Sequence, residues 1–175
     1  ESGQESWILY GADGEYLVGG FDGREFRPEG GKQRLWFGEF YASQTYTNAP
    51  DGRRVQIGWG RGIVFPGMPF NQQMGIACEL TLVDGRLRAQ PVPELARLRG
   101  PARYWRAGER PDGEIAELVD VTTTLSVPAG ARGGLTVRGV PVVWDRGAGT
   151  LEVADGIFPL ALNLAELDLR ILVDR

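Results

Sequence analysis

Asp-Gly recurs along this chain, at Asp13-Gly14, Asp22-Gly23, Asp51-Gly52, Asp84-Gly85, Asp112-Gly113 and Asp155-Gly156. The dipeptide supplies two neighbouring residues that tolerate positive φ, which a tight type I′ hairpin requires. Apolar and aromatic runs flank most of these pairs: Trp7–Tyr10 and Glu15–Phe21 the first, residues 40–46 and 54–59 the third, Cys78–Val83 and residues 86–90 the fourth. The only helical candidate is residues 92–99, which Pro101 closes after one or two turns. Short antiparallel strands joined by tight turns are therefore expected, in an all-β chain.

Period-two alternation supports this reading. Val55, Ile57 and Trp59 face one way while Arg54, Gln56 and Gly58 face the other. Leu167, Leu169, Ile171 and Val173 alternate with Asp168, Arg170, Leu172 and Asp174, the pattern of a half-buried strand. Ile115, Val119, Val121, Leu125 and Val127 share one face of another long run, with Glu117 and Thr123 as polar exceptions. Trp7, Trp36, Trp105 and Trp144 are expected to pack between hairpins. The segment 92–99, followed by the Gly/Pro-punctuated residues 100–113, is the best boundary. It divides the chain into an aromatic hairpin part (residues 1–91), a linker (92–100) and a second β part (101–175) packed as a sandwich.

Composition removes several kinds of chemistry. The chain has no histidine, so Ser-His-Asp and Cys-His catalysis and His-ligated zinc are excluded. One cysteine, Cys78, allows neither an internal disulfide nor a multi-Cys metal site, and it reads as a small buried apolar residue. Neither a metal nor a cofactor is expected. A net charge of -4, without a dense Lys/Arg cluster, argues against nucleic acid as a partner. No apolar run approaches the roughly 20 residues that cross a bilayer. The first residues, ESGQES, hold neither a basic nor an apolar leader segment.

Several local patterns resemble those of glycoside hydrolase family 32, the levanase, inulinase and invertase group, and they come in the family's order. Residues 7–23 (WILYGADGEYLVGGFDG) are similar to the blade that follows the acid/base glutamate. Residues 40–46 (FYASQTY) with 50–54 (PDGRR) and 57–59 (IGW) resemble the next blade. Residues 67–72 (GMPFNQ) and 79–82 (ELTL) look like the segment closing the propeller, 91–95 (PVPEL) like the linker, and 169–175 (LRILVDR) like a strand of the C-terminal sandwich. The resemblance implies the last blades of a five-bladed β-propeller plus an incomplete β-sandwich. It implies a parent activity on β-fructofuranosyl linkages of levan, inulin or sucrose by a retaining double displacement. It also implies secretion or periplasmic residence.

The family's Asn-Asp-Pro, Arg-Asp-Pro and Glu-Cys segments do not occur here. No catalytic residue is therefore assigned, and the chain alone is expected to be inactive. A retaining glycosidase needs two carboxyl groups about 5–5.5 Å apart, but with 23 acidic residues some pair is always near another. Turn chemistry accounts for the aspartates of the Asp-Gly pairs, and Glu79 reads as structural.

For substrate binding, the resemblance points to Trp59 as a pocket-lining aromatic with Tyr41 and Gln44 beside it. By the same resemblance Glu39 would stand at a position filled by a polar group near the sugar, and Asn71, in a Gly/Pro-bounded loop, could bond hydroxyls. Each has a plainer reading: Trp59 as core, Glu39 as a solvated strand edge, residues 67–72 as a crossover. Gly58-Trp59-Gly60-Arg61-Gly62 is not a phosphate loop, because no helix follows it.

Two propeller blades alone would expose strand edges and apolar faces. The expected partners are thus carbohydrate, together with either a preceding propeller part or a second copy of the chain. The alternative is a non-catalytic carbohydrate-binding or structural β module derived from the same family.

Overall fold

The computed structural model describes residues 5–109, 113, 116–160 and 164–174. Asp112, Ile115 and Arg175, which entered the turn and strand expectations, lie outside these. Backbone contacts divide the chain into two units, Glu1–Leu98 and Arg99–Arg175. The fold is all-β. Among the described residues the only helical segments are two short 3-10 helices, Pro50–Gly52 and Pro93–Leu98, the second lying inside the one segment whose sequence allowed a helix.

The first unit holds two antiparallel sheets. In one, β1 (Trp7–Tyr10) pairs with β2 (Glu15–Phe21), whose other edge takes β3 (Phe26–Pro28) and β4 (Gln33–Arg34). In the other, β5 (Phe40–Thr45) and β6 (Val55–Gly60) form a hairpin. The far edge of β6 pairs with β7 (Gln73–Met74) and β8 (Cys78–Val83), and β9 (Arg86–Pro91) lies outside β8.

Polar side chains tie the two sheets together. Tyr16 is 3% exposed, and its hydroxyl accepts the Leu87 N–H at 2.9 Å and donates to Gln33 Oε1 at 3.0 Å. The Gln33 amide then donates to Gly85 O at 3.1 Å, in the turn between β8 and β9. Behind the same sheet, Arg53 holds Glu79 at 3.0 Å and Glu94, on the 3-10 turn after β9, at 2.6 and 3.1 Å. This double contact with Arg53 pulls the Glu94 carboxyl down to about 2.

The second unit has a long antiparallel pair, β10 (Leu118–Ser126) with β15 (Glu166–Asp174), and a four-stranded meander that lies between them in the chain. The meander runs in chain order through β11 (Arg132–Val137), β12 (Val140–Asp145), β13 (Thr150–Val153) and β14 (Gly156–Pro159). Val127, Trp144 and Leu167 form the core between the two sheets, packed round by Leu125, Ala131, Leu151, Leu160 and Leu169. Trp144 is 1% exposed. It fits because its β11 partner is Gly133, where a side chain would run into Val127. At the edge of this unit Asp120 receives both Arg170 and Arg99, and these contacts, led by Arg170, hold its carboxyl below the usual range.

The turns follow the Asp-Gly rule only in part. Asp84 and Gly85 (φ 51° and 70°) make the expected two-residue hairpin between Val83 and Arg86. At Asp22-Gly23 only the glycine is left-handed, and the aspartate instead accepts the N–H groups of Arg24 and Glu25, an Asx turn. At Asp155-Gly156 the expectation is corrected. The positive φ falls on Ala154, and Gly156 opens β14, because pairing Val153 with Gly156 leaves Ala154 and Asp155 as the turn. Arg138-Gly139 makes an equivalent hairpin with no aspartate at all.

The tryptophan expectation is corrected too. Trp144 and Trp36 pack between strands. Trp105 is 46% exposed outside any strand, and Trp7 is 43% exposed, edge-on to Phe21.

Removing the Tyr16 hydroxyl leaves the half-buried Leu87 N–H and Gln33 Oε1 short of a partner. Tyr16→Phe should lower stability by about 1–3 kcal/mol, whereas Tyr46→Phe, at a 52% exposed ring, should leave it unchanged; urea unfolding midpoints compare the two. Glu94 is depressed from 4.5 to about 2 in the folded chain, so its stabilising contribution is complete above pH 4.5 and disappears as pH falls towards 2. Glu94→Gln should flatten the fall of melting temperature across that window.

Candidate functional site

The site is built on the β5–β6 hairpin, and a bulge decides its composition. Phe40 pairs with Gly60 and Tyr41 with Trp59; the register then shifts, so that Gln44 pairs with Ile57 and Thr45 with Gln56. Ala42 and Ser43 together stand opposite Gly58, with Ala42 in the left-handed region at φ 45°. Side chains of directly paired residues lie on the same side of a sheet. Tyr41 and Gln44 of β5 thus share a face with Ile57 and Trp59 of β6, and Met74, paired with Trp59, joins them.

Contacts on this face confirm the register. The Tyr41 and Trp59 rings meet edge to face with centroids 6.1 Å apart. Arg61, just past β6, lies over Tyr41 at 4.7 Å from the ring centroid, and its Nε donates to Glu39 Oε2 at 3.2 Å. The result is an aromatic pair with one rim of polar groups, Glu39, Gln44 and Arg61. Tyr41 and Trp59 are half-buried, while the three polar groups are exposed. An exposed ion pair of this kind contributes at most about 1 kcal/mol; its effect here is to hold the guanidinium against the ring.

Of the residues expected at a binding site, the structure brings Glu39, Tyr41, Gln44 and Trp59 together. Asn71 lies in the loop between β6 and β7, with its Oδ1 accepting the Phe65 N–H at 3.3 Å inside a loop braced by the Phe65–Phe70 ring contact. Its oxygen serves the loop. Arg61 was missed because it stands among glycines beyond the alternating run; its spacing of two from Trp59 and four from Ile57, which puts it on their face, was the available signal.

The opposite face of the hairpin packs towards the first sheet. Phe40 stacks on Trp36 at 4.4 Å and lies over Gly58, where any side chain would collide with the ring. Gln56, on the set of β6 residues that looked polar in the sequence, is 2% exposed. Its Oε1 accepts Trp36 Nε1–H at 2.8 Å, and its Nε2 donates to Ser43 Oγ at 3.0 Å. The Tyr10 hydroxyl lies beside this amide at a geometry short of a hydrogen bond and is the buried side-chain oxygen left without a partner among the described residues. Burial pushes Tyr10 up to about 12, against a smaller downward pull from Gln56.

Asp22, Glu94 and Asp120 are held below the usual carboxylate range by backbone N–H groups or arginines. A general acid needs the reverse shift. Cys78 is buried opposite Gln56, and Glu79 bonds Arg53. Among the described residues no cluster of three or more His, Cys, Asp or Glu side chains could hold a metal ion.

Residues 8–91 match the family model described as Glycosyl hydrolases family 32 N-terminal domain; the match ends with β9. The chain is similar to a levanase of Bacillus subtilis (strain 168), 33% identical over 127 residues, which are 59% of this chain and 19% of the levanase. It is also similar to a levanase of Bacillus sp. (strain L7), 30% identical over 123 residues, 57% of this chain and 13% of that protein. Among solved structures, a family 32 β-fructofuranosidase of Bombyx mori superposes with a TM-score of 0.63 at 19% identity, over 91% of this chain and 37% of that one. That likeness shows a shared fold. The chain thus spans less than a fifth of the length of either levanase.

The Tyr10 hydroxyl has no partner to lose, so Tyr10→Phe should leave stability at neutral pH unchanged or raised, in contrast to Tyr16→Phe. The raised Tyr10 value means that its share of stability is complete below pH 10 and is lost as pH rises through about 12. Alkaline unfolding followed with and without Tyr10→Phe checks both statements.

Proposed function

The chain belongs to glycoside hydrolase family 32, and on that premise we propose that it is the C-terminal part of a hydrolase acting on β-fructofuranosyl linkages. In this reading it supplies one wall of the sugar site and a structural β-sandwich. The reacting carboxylates come from polypeptide that carries the Asn-Asp-Pro, Arg-Asp-Pro and Glu-Cys segments. The two sheets of the first unit are neighbouring blades of a propeller, completed by that polypeptide.

The observation that carries the proposal is the shared face of Tyr41 and Trp59, rimmed by Glu39, Gln44 and Arg61. A furanose ring presents an apolar C–H face and a rim of hydroxyls. Rigid aromatic side chains cover the first at small entropic cost, while carboxylate, amide and guanidinium groups bond the second. The ligand class is therefore a neutral fructan or sucrose, met outside the cytoplasm where polymeric fructans lie.

A second reading has its own support. Ile57 and Met74 extend the same face with apolar surface, and Met74 is 56% exposed. A neighbouring sheet could cover that surface, leaving a structural module without a sugar.

Titration calorimetry separates the two. On the first reading, fructo-oligosaccharide binds the chain and Trp59→Ala weakens it at least tenfold, equivalent to about 1.4 kcal/mol, without shifting the unfolding midpoint by a comparable amount. Binding that is absent, or indifferent to Trp59, selects the structural reading. The chain by itself should release no fructose. Release abolished by mutating one of its own residues would overturn the division of labour proposed here.

A further inference from the structure

Residues three apart on a regular strand point to opposite faces. Tyr41 and Gln44 are three apart and share one. In an unbroken register Gln44 would pair with Gln56 and point at the first sheet, while Ser43 would take its place beside Trp59. The bulge alone reverses this, since Ala42 and Ser43 both stand opposite Gly58. Bulges of this kind re-aim side chains next to functional sites.

The bulge also has to be held. Ala42 sits at φ 45°, a conformation unfavourable for a residue with a Cβ, and its N–H has left the ladder. Two bonds secure the pair. The Ala42 N–H donates to Ala12 O at 2.9 Å, in the loop between β1 and β2. Ser43 Oγ accepts Gln56 Nε2 at 3.0 Å, and the same amide is fixed at its other end by Trp36 Nε1 at 2.8 Å. Gln56 is 2% exposed, so a donor that lost Ser43 would have no solvent to turn to.

We infer that Gln56, acting through Ser43, is a positioning residue for the carbohydrate face: it locks the bulge that delivers Gln44 alongside Tyr41 and Trp59. Its consequence for binding rests on the sugar-site reading above; its geometry does not. The relay runs from the indole of Trp36, through a buried amide, to a hydroxyl one residue before the side chain that is aimed. Neither Gln56 nor Ser43 touches the ligand.

The test combines a register measurement with a double-mutant cycle. In the wild-type chain, interstrand nuclear Overhauser contacts should link Gln44 to Ile57. In Ser43→Ala they should be replaced by contacts from residue 43 to Ile57, and Ser43→Thr, which keeps the hydroxyl, should restore the original set. With short inulin-type fructo-oligosaccharides as probe, Ser43→Ala and Gln44→Ala should each weaken binding about tenfold, the worth of one polar contact. The double variant should bind no more weakly than Gln44→Ala alone, because Ser43 acts only through Gln44. A merely structural serine would give additive losses.

Retention of the Gln44–Ile57 contacts in Ser43→Ala, or additive losses in the cycle, overturns the inference. If the wild-type chain binds no oligosaccharide, the sugar-site reading fails by itself, and the register measurement still decides the positioning role.

Discussion

The amide of Gln56 is the interaction on which the first unit depends. It is an uncharged polar group almost wholly removed from water, and each end has one partner in the alignment observed: Trp36 from the segment after β4, and Ser43 from the bulge. An apolar residue there would tolerate small slides of one sheet over the other. An amide does not, because a slide leaves a buried donor or acceptor unmade at about 1–3 kcal/mol each. Tyr16 imposes the same condition further along the sheets through Leu87 and Gln33. Packing brings the sheets together, and these bonds fix how they meet.

The second unit is organised on the opposite principle. Its core is apolar, gathered on Trp144, and needs only shape: a glycine at position 133 to make room, Val127 and Leu167 to close the sides. The polar contacts are at the margin, in Asp120 with its two arginines and in Arg132 with Glu152. Such exposed or half-exposed pairs add little stability each. Burial does most of the work in this unit, which is why plain alternation in the sequence located β15 and much of β10 with their inward residues.

Turns and buried polar positions were less legible in both units, because what decides them lies outside the local pattern. Asp-Gly indicates that the chain can turn, but the face that has to be buried chooses the residue on which it turns. The rule therefore succeeded at Asp84-Gly85, slipped by a residue at Ala154-Asp155, and missed Arg138-Gly139. Gln56 reads as a solvent-facing residue in any pattern of apolar and polar positions, and only its partners, Trp36 and Ser43, distant in sequence, make burial tolerable. The candidate site suffered likewise. Trp59, Tyr41, Gln44 and Glu39 could be named from residue type and family resemblance. That they share a face could not be read, since the spacing of Tyr41 and Gln44 argues against it until the bulge is known.

That face is not uniform along its length, and the gradient bears on what it meets. At one end Val55, opposite Glu79, is buried, and the chain itself reaches over this region with the 3-10 turn that carries Glu94 to Arg53. At the other end Tyr41 and Trp59 stay half-buried, with Glu39, Gln44 and Arg61 open to solvent around them. A surface shaped only to receive another sheet would gain nothing from a guanidinium held over a ring by an exposed carboxylate, because docking would have to strip water from both charges. A sugar asks for no such sacrifice, since its hydroxyls replace the lost water at those same groups. On the sugar-site reading, the apolar surface of Ile57 and Met74 suits a neighbouring sheet, and the rim of Glu39, Gln44 and Arg61 around the two rings suits a carbohydrate; the two occupants are compatible where the sheets part.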